Sequence, residues 1–192
     1  MTILMAPQTH EQDETDLAKQ ALYDIEAFAE LYRRNLTRVY RYHMAHAGNT
    51  KDAEDLTSQT FIAALEGIRS FRGSGSFAAW IMGIASRKRL MFLRSRGNKP
   101  EIPLDAALYY PSPGISTDKA AAHQLQLESI SRALRQISSD RAEALILTYF
   151  SGLSHAEAGR VLNKSEAAVK MLISRGLQDL RERTSLALEV EL

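Results

Sequence analysis

Five histidines are the side chains of this protein best suited to acid–base or metal chemistry at neutral pH. None follows a metal-ligand pattern such as H-E-x-x-H, and His43 and His46, three residues apart, have no acid placed as a further ligand. The chain has no cysteine, which excludes disulfides, thiolate zinc sites and cysteine nucleophiles. It also has no Walker-type lysine, G-x-S-x-G motif or dinucleotide-binding motif. We therefore expect no enzyme activity, no metal and no cofactor.

Basic residues are concentrated in one stretch, although the net charge of the 192 residues is only +1. Residues 61–99 hold eight bases against one acid, a balance of +7, whereas residues 1–30 hold one lysine against seven acids, a balance of −6. Such a local excess favours a polyanionic partner. Aromatic rings beside cations, here around Phe71 and Arg72, are typical of single-stranded DNA binding. The alternative is a solvated helix end, with Phe77 and Trp80 as ordinary core residues.

A helix predicted over residues 51–70 has two distinct faces. One face is an apolar stripe that runs from Ala53 to Ile68 and is expected to be buried. The other face is mostly acidic with an isoleucine in its middle, and its members are three or four residues apart. This second face is either an ordinary solvated surface or a docking surface for a basic partner helix. Its members are Asp52, Asp55, Gln59, Ile62 and Glu66.

Glycine and proline divide the chain into two parts. Four of the five prolines lie between Gly97 and Gly114, where helical periodicity is lost. Apolar residues keep helical spacing on both sides, and no segment alternates as a strand would. We predict an all-α fold of two small helical domains joined by a proline-containing linker. No stretch is apolar enough to span a membrane, no signal peptide pattern is visible, and the lack of cysteine fits a reducing cytoplasm.

The stretch from Gly152 to Ser165 predicts a helix-turn-helix. Ser154 and Glu157 have the S-x-x-E spacing of a capping box, which begins a short helix. Asn163 is suited to a left-handed turn that closes this helix, and Ser165 can cap the longer helix that follows. Helical hairpins are common, so this pattern alone leaves DNA binding open.

Two groups of motifs resemble the extracytoplasmic-function (ECF) sigma factors of bacterial RNA polymerase. The segments 52–61, 70–73 and 77–85 resemble region 2 of that family, and residues 152–181 resemble region 4. The resemblance covers roughly residues 22–96 and 122–183, in the family's order. The expected divisions are an acidic N-terminal tail at 1–21, a region 2-like domain at 22–96, a linker at 97–121, a region 4-like domain at 122–184 and a C-terminal tail at 185–192.

This resemblance implies a promoter-specificity subunit that acts in the bacterial cytoplasm and is associated with the nucleoid when active. Its partners would be core RNA polymerase, through the clamp of the largest subunit, promoter DNA and an anti-sigma factor, with no insertion into a membrane. Region 2 would capture the −10 element as a single strand, and region 4 would bind the −35 element in the major groove.

The resemblance also assigns residues to each contact. The face from Asp52 to Glu66 would bind the polymerase. The −10 element would contact the loop and the basic half of the next helix, through Phe71, Arg72, Ser74, Ser76, Arg87, Lys88 and Arg89. The −35 element would contact the second helix of the helix-turn-helix, through Ser165, Lys170, Met171, Ser174 and Arg175.

The chain departs from the family pattern at several positions. Arg87 stands where the family usually has asparagine, and Met91 where it often has aspartate. Ala167-Ala168 replaces the usual Gly-Thr of region 4, and Gly159 stands where alanine is typical. These changes leave the expected fold intact and bear on the −10 sequence preference; the alternative is that they mark a subgroup of the family with altered regulation.

The linker sets a limit on how the two domains bind DNA together. The stretch without helical periodicity runs from about Gly97 to Thr117, and a flexible coil of these 21 residues averages roughly 25 Å and extends to about 70 Å at most. Promoter elements separated by one and a half to two turns of DNA lie about 50–70 Å apart, so the linker reaches only when largely extended. Two other functions remain open at this stage: an autonomous helix-turn-helix regulator that needs no polymerase, and a helical adaptor that binds only proteins.

Overall fold

The computed structural model describes residues 8–96 and 129–190, and both parts are helical. These residues contain no strand, in agreement with the predicted all-α class. The predicted linker lies outside the described residues. The elements are α1 (Gln8–Gln20), α2 (Ile25–Ala47), α3 (Thr50–Gly67) with a 3-10 turn at Ile68–Ser70, α4 (Phe77–Arg96), α5 (residues 129–134), α6 (Ser139–Leu145), α7 (His155–Leu162) and α8 (Glu166–Val190).

The first unit is built on the antiparallel pair of α2 and α3. Gly48 ends α2 in the left-handed conformation, with φ of 72°, and Asn49 begins α3 by accepting a hydrogen bond from the Asp52 backbone N–H. The stripe predicted for α3 is buried along its whole length, from Ala53 to Ile68. Helix α4 packs on this pair through Phe77, Ile81, Ile84 and Ala85, which are also buried.

The acidic N-terminal segment is a packed helix over most of its length, where the sequence suggested a tail. Helix α1 lies against α2 and α4, with Ala18 and Ala21 buried. Asn35 of α2 is fully buried, and its side-chain amide donates to Glu14 Oε1 at 3.1 Å. Apolar residues on one side of a largely acidic helix account for this packing. At the other end, α8 continues to Val190 through most of the predicted C-terminal tail.

The second unit contains the predicted helix-turn-helix. Ser154 and Glu157 form the full capping box at the start of α7, and Asn163 ends the helix with φ of 54° and ψ of 46°. Helix α6 ends at Leu145, and the chain continues as a π turn over Ile146–Phe150. Val169 and Ile173 of α8 are buried against this unit.

The two units pack directly on each other. Helix α7 contacts α4, and the π turn contacts α2. The buried apolar residues of both units, from Leu31 and Phe77 in the first to Leu147 and Val169 in the second, belong to one continuous core. The described residues therefore form a closed arrangement of two helical units, which the sequence did not indicate.

Candidate functional site

Four members of the predicted docking face lie exposed along one side of α3. Asp55, Gln59 and Glu66 are exposed, and Ile62 between them has 57% of its surface accessible. An isolated exposed isoleucine is ordinary on a protein surface, but here it lies at the centre of an acidic ridge. The geometry fits a partner that offers apolar contact together with positive charge.

Asp52, the fifth member of that face, has a local role. It is 7% exposed, and its Oδ2 accepts a hydrogen bond of 2.8 Å from the Asn49 side chain. Its backbone N–H in turn donates to Asn49 Oδ1 at 2.9 Å. Paired bonds of this kind satisfy orphan groups in the first turn of a helix. Asp52 therefore takes part in the cap at the start of α3, and its side chain is buried, unlike those of the other four members.

The loop between α3 and α4 presents some of its predicted DNA-binding residues to solvent. Arg72 and Ser74 are exposed, while Phe71 is half-buried with its ring centroid 5.6 Å from those of both Phe77 and Trp80. Gly73 and Gly75 adopt φ values of 70° and 158°, which side chains with a Cβ rarely adopt. The aromatic cluster holds the base of the loop while Arg72 and Ser74 project from it.

Ser76, at the end of this loop, faces the second unit. It is buried, and its hydroxyl hydrogen-bonds the carboxylate of Glu157 in α7. Its Oγ also accepts from the Ala79 backbone N–H at 3.2 Å, which caps α4. Burial works to raise the pKa of Glu157, but the hydroxyls of Ser76 and Ser154 outweigh it and keep the pKa below its ordinary value. The predicted −10 contact of Ser76 is covered in this arrangement.

The three basic residues predicted on α4 have different surroundings. Arg87 is exposed, and Lys88 is partly buried. Only 12% of the Arg89 side chain is exposed, and its Nη2 donates to Glu143 Oε2 across a distance of 2.8 Å. Burial alone would lower the pKa of Arg89, but Tyr42 and Glu143 raise it instead. The structure thus leaves Arg87 accessible to a ligand and directs Arg89 towards the second unit.

Glu143 of α6 is the centre of a buried polar cluster between the two units. Its Oε1 accepts from the Tyr42 hydroxyl at 2.5 Å, and its Oε2 lies 3.1 Å from His46 Nε2, which has no hydrogen-bond geometry towards any partner. Burial works to raise the pKa of Glu143, but His46, Arg89 and Tyr42 together lower it to about 2. Burial lowers the pKa of His46, so at neutral pH the permanent cation beside the carboxylate is Arg89.

The residues predicted to contact the −35 element lie on the exposed side of α8. Ser174 and Arg175 are exposed, and Met171 has 54% of its surface accessible. Lys170 is exposed as well and forms an ion pair of 2.6 Å with Glu166 one turn earlier. Ser165 accepts from the Ala168 backbone N–H at 3.2 Å and so caps the start of α8. The helix-turn-helix thus presents one polar and cationic surface that is accessible to DNA.

Sequence reasoning did not find the cluster around Glu143. Its members are separated by up to 101 residues, and none belongs to a recognisable motif. The one signal they share is that Tyr42, His46 and Arg89 lie on helices whose buried residues are mostly apolar. Within residues 8–96 and 129–190, no group of three or more His, Asp or Glu side chains is arranged to hold a metal ion. No helix in these ranges is long and apolar enough to cross a membrane.

Comparison with family models identifies two matching segments. Residues 31–99 match sigma-70 region 2, and residues 127–180 match sigma-70 region 4. The first segment contains α3, the loop and α4, and the second contains the helix-turn-helix. The two matches follow the order and approximate bounds of the two helical units.

Three relatives are similar over most of this chain. The ECF RNA polymerase sigma factor BldN of Streptomyces coelicolor is 32% identical over 158 residues, which are 82% of this chain and 60% of BldN. SigE of Mycolicibacterium smegmatis, also an ECF sigma factor, is 32% identical over 80% of this chain and 60% of its own length. SigK of Mycobacterium bovis is 26% identical over 86% of this chain and 89% of its own length. This chain thus spans about three-fifths of the length of the first two relatives.

Two solved structures have a similar fold. CnrH, in complex with the cytosolic domain of CnrY, has a TM-score of 0.68 and 23% identity, over 90% of this chain and 97% of CnrH. The sigma factor RpoE of Bartonella quintana, in complex with the anti-sigma factor NepR, has a TM-score of 0.62 and 23% identity, over 81% of this chain and 94% of RpoE.

Proposed function

Because the chain belongs to the ECF sigma factors of the sigma-70 family, we propose that it binds core RNA polymerase and directs initiation at specific promoters. The observation that carries this proposal is the placement of both family matches on separate helical units, each with an exposed surface for its own ligand. Region 2, at residues 22–96, binds the polymerase and the −10 element. Region 4, at residues 122–184, binds the −35 element.

The polymerase surface that we propose consists of the exposed residues of α3. Asp55, Gln59 and Glu66 offer carboxylate and amide groups, and Ile62 offers an apolar centre. A clamp helix of the largest subunit with basic residues around an apolar stripe would complement this surface in both charge and shape. Asp52 supports the surface indirectly by capping the helix that carries it.

The −10 surface that we propose is the loop and the exposed edge of α4. Arg72, Ser74 and Arg87 are accessible to a single strand, and Phe71 offers a partly exposed ring beside them. Base stacking on an aromatic ring together with cations for phosphates is the usual basis of single-strand capture. Lys88 is partly accessible, whereas Ser76 and Arg89 become available only after the two units separate.

The −35 surface that we propose is the exposed side of α8. The first residues of such a second helix enter the major groove in helix-turn-helix proteins. Lys170 and Arg175 supply positive charge, Ser174 a hydroxyl and Met171 an apolar contact, while Ser165 caps the helix end nearest the phosphates. Arginine reads guanine through two hydrogen bonds in that groove.

The remaining parts of the proposal concern the regulatory partner and the location in the cell. An anti-sigma factor is a proposed partner, as NepR is for the structurally similar RpoE. We place the protein in the bacterial cytoplasm, at the nucleoid when active. We propose no catalytic reaction for the chain itself and no cofactor, since its role is to position the polymerase.

Runoff transcription tests the proposal. Purified chain is added to bacterial core polymerase on a library of genomic promoter fragments, and the transcripts are compared with those of core polymerase alone. We expect new, promoter-specific start sites only when the chain is present. Specific binding to duplex DNA without transcription would instead support an autonomous regulator, and no DNA effect of either kind would support a protein adaptor.

A further inference from the structure

Within residues 8–96 and 129–190, every hydrogen bond and ion pair of the Glu143 side chain is made with region 2. Its carboxylate is bound by Tyr42 of α2 and by Ser86 and Arg89 of α4, all from region 2. The residue is 4% exposed although it carries a full charge. Charges are rarely buried without a partner, since desolvation of the charged group is costly. The carboxylate is therefore satisfied only while region 4 lies on region 2.

The two regions also approach each other closely at two other places in the same interface. At one of them, Ser76 of the −10 loop hydrogen-bonds Glu157 of α7. At the other, the absent side chain of Gly48 leaves room for Ser131 and Arg135, whose polar atoms would lie 2.9 Å from a Cβ at that position. Between them, the apolar residues of the two regions form one core. The interface thus combines apolar burial with polar contacts of defined geometry.

This arrangement is too short to span a promoter. The path from Ser76 through Glu157 and along α7 and α8 to Arg175 is about 45 Å at most, from helix rise and extended-chain lengths. The two promoter elements lie about 50–70 Å apart on DNA. The −10 loop and the −35 helix therefore cannot engage both elements while Ser76 remains bonded to Glu157.

We propose that the region 2–region 4 interface centred on Glu143 is a self-inhibitory latch, which keeps the two DNA-binding regions together until a partner separates them. The inhibitory role of the latch rests on the proposed function, because it is promoter binding that the latch would prevent. It also covers two of the residues expected to capture the −10 strand, Ser76 and Arg89, by giving them intramolecular acidic partners. Opening the latch frees the hydroxyl and the guanidinium and lets the two DNA-binding surfaces move apart.

Replacing Glu143 tests the latch without disturbing the inside of region 4. Glu143→Gln removes the charge that compensates Arg89, and Glu143→Lys places a like charge beside it. Asp140→Asn is a matched control, because Asp140 lies on the same helix, is exposed and pairs with Lys164 inside region 4. Circular dichroism of each variant establishes that the helices are retained.

Single-molecule energy transfer measures the closed and open populations directly. The chain has no cysteine, so Glu54→Cys on α3 and Gln178→Cys on α8 give two exposed labelling positions, one in each region. We expect mainly a high-transfer population for the parent protein and for Asp140→Asn. Glu143→Gln should lower the closed-to-open ratio by about 10- to 100-fold, the value of a hydrogen bond to a charged group, and Glu143→Lys should lower it further.

A parent protein that is extended in solution would overturn the latch, as would equal populations for Glu143→Gln and Asp140→Asn. The same variants in runoff transcription separate this failure from failure of the proposed function. If Glu143→Gln opens the chain but no variant supports transcription, the latch stands and the sigma-factor function fails. If the parent directs transcription while Glu143→Gln changes neither the populations nor the rate of promoter opening, the function stands and the latch fails.

Discussion

Arg89 of α4 and Glu143 of α6 are joined by an ion pair of 2.8 Å that links the two halves of the chain across 54 residues of sequence. Their side chains are 12% and 6% exposed, so water screens the pair far less than it screens ion pairs on the surface. Breaking a buried pair by removal of one partner leaves an uncompensated charge, which makes such pairs sensitive switches. The same arginine belongs to the basic run from which DNA binding was predicted.

The exposed face of α3 is tested by charge reversal at Asp55. We expect Asp55→Arg to weaken binding to core polymerase by about 1–3 kcal/mol, since it replaces an attractive contact with a repulsive one. Glu54→Arg is the matched control, because Glu54 is exposed beside Asp55 but projects from a different side of the helix. Titration with labelled core polymerase measures both affinities. Equal losses for the two variants would indicate a general charge effect and remove this face from the interface.

Arg175 tests the surface of α8. Arg175→Ala should cost about 1–3 kcal/mol at a cognate −35 element and relax the base preference at one position, if the guanidinium reads guanine. Arg132→Ala, an exposed arginine on α5, provides the control for loss of charge. Binding of the holoenzyme to a set of single-base promoter variants measures the effect. A uniform loss over all sequences would assign Arg175 to a phosphate contact.

Arg87 tests the −10 preference. Arginine only donates hydrogen bonds and stays charged, whereas the asparagine usual at this position both donates and accepts. We therefore expect a −10 element whose flipped base is guanine or is poorly specified, and we expect Arg87→Asn to change promoter choice. Arg94→Asn, another exposed position of the same helix, is the control. Genome-wide mapping of transcription start sites measures the promoter choice of both variants. Identical maps for Arg87→Asn and the parent protein would show that Arg87 does not recognise a base of the −10 element.

Replacement by alanine should have opposite effects on stability at two glycines. A Cβ at Gly159 would lie 2.6 Å from the Lys164 carbonyl oxygen, whereas a Cβ at Gly83 meets no atom within 4 Å. We expect Gly159→Ala to lower the free energy of unfolding by about 1–3 kcal/mol through overpacking of the turn. Gly83→Ala should raise it by about 0.5–1 kcal/mol, because glycine is a poor helix former. Urea denaturation measures both, and a stabilised Gly159→Ala variant would show that the turn can relax.

Acidification should open the interface between the two regions, and the titration of His46 sets the pH range in which it opens. In the closed form, burial holds the pKa of His46 below its ordinary value of 6.5. As the pH falls through 6.5, the open form therefore binds more protons than the closed form, and protonation favours opening. The charged and titratable groups facing this ring are Tyr42, His43, Arg89 and Glu143.

The lowered pKa of Glu143 also makes acidification favour the open form. Its contribution to closure is present above its ordinary pKa of 4.5 and is lost as pH falls towards about 2. Within about pH 7.5 to 5.5 only the His46 effect operates. Energy transfer measured over this range should show a closed population that falls with pH, and His46→Gln should flatten this dependence. A closed fraction that is independent of pH over this range in the parent protein would contradict the assignment.

Local sequence determined the helices and the residues that end them. The spacing of apolar residues predicted the buried stripe of α3, because a period of 3.6 residues depends only on the helix itself. Ser154, Glu157 and Asn163 predicted the helix-turn-helix, since capping and left-handed turns are satisfied by residues three to six positions apart. The four exposed members of the α3 face were found in the same way.

Tertiary packing decided which polar residues remain accessible. Nothing near Arg89 or Ser76 in the sequence indicates that an acid far along the chain binds each of them. Asp52 had the spacing of a surface residue, yet its neighbour Asn49 engages it as a cap. The acidic segment became α1 only because α2 and α4 offer apolar surface to one of its sides. Burial of a charge depends on partners distant in sequence, and these meet only once the two helical units pack together.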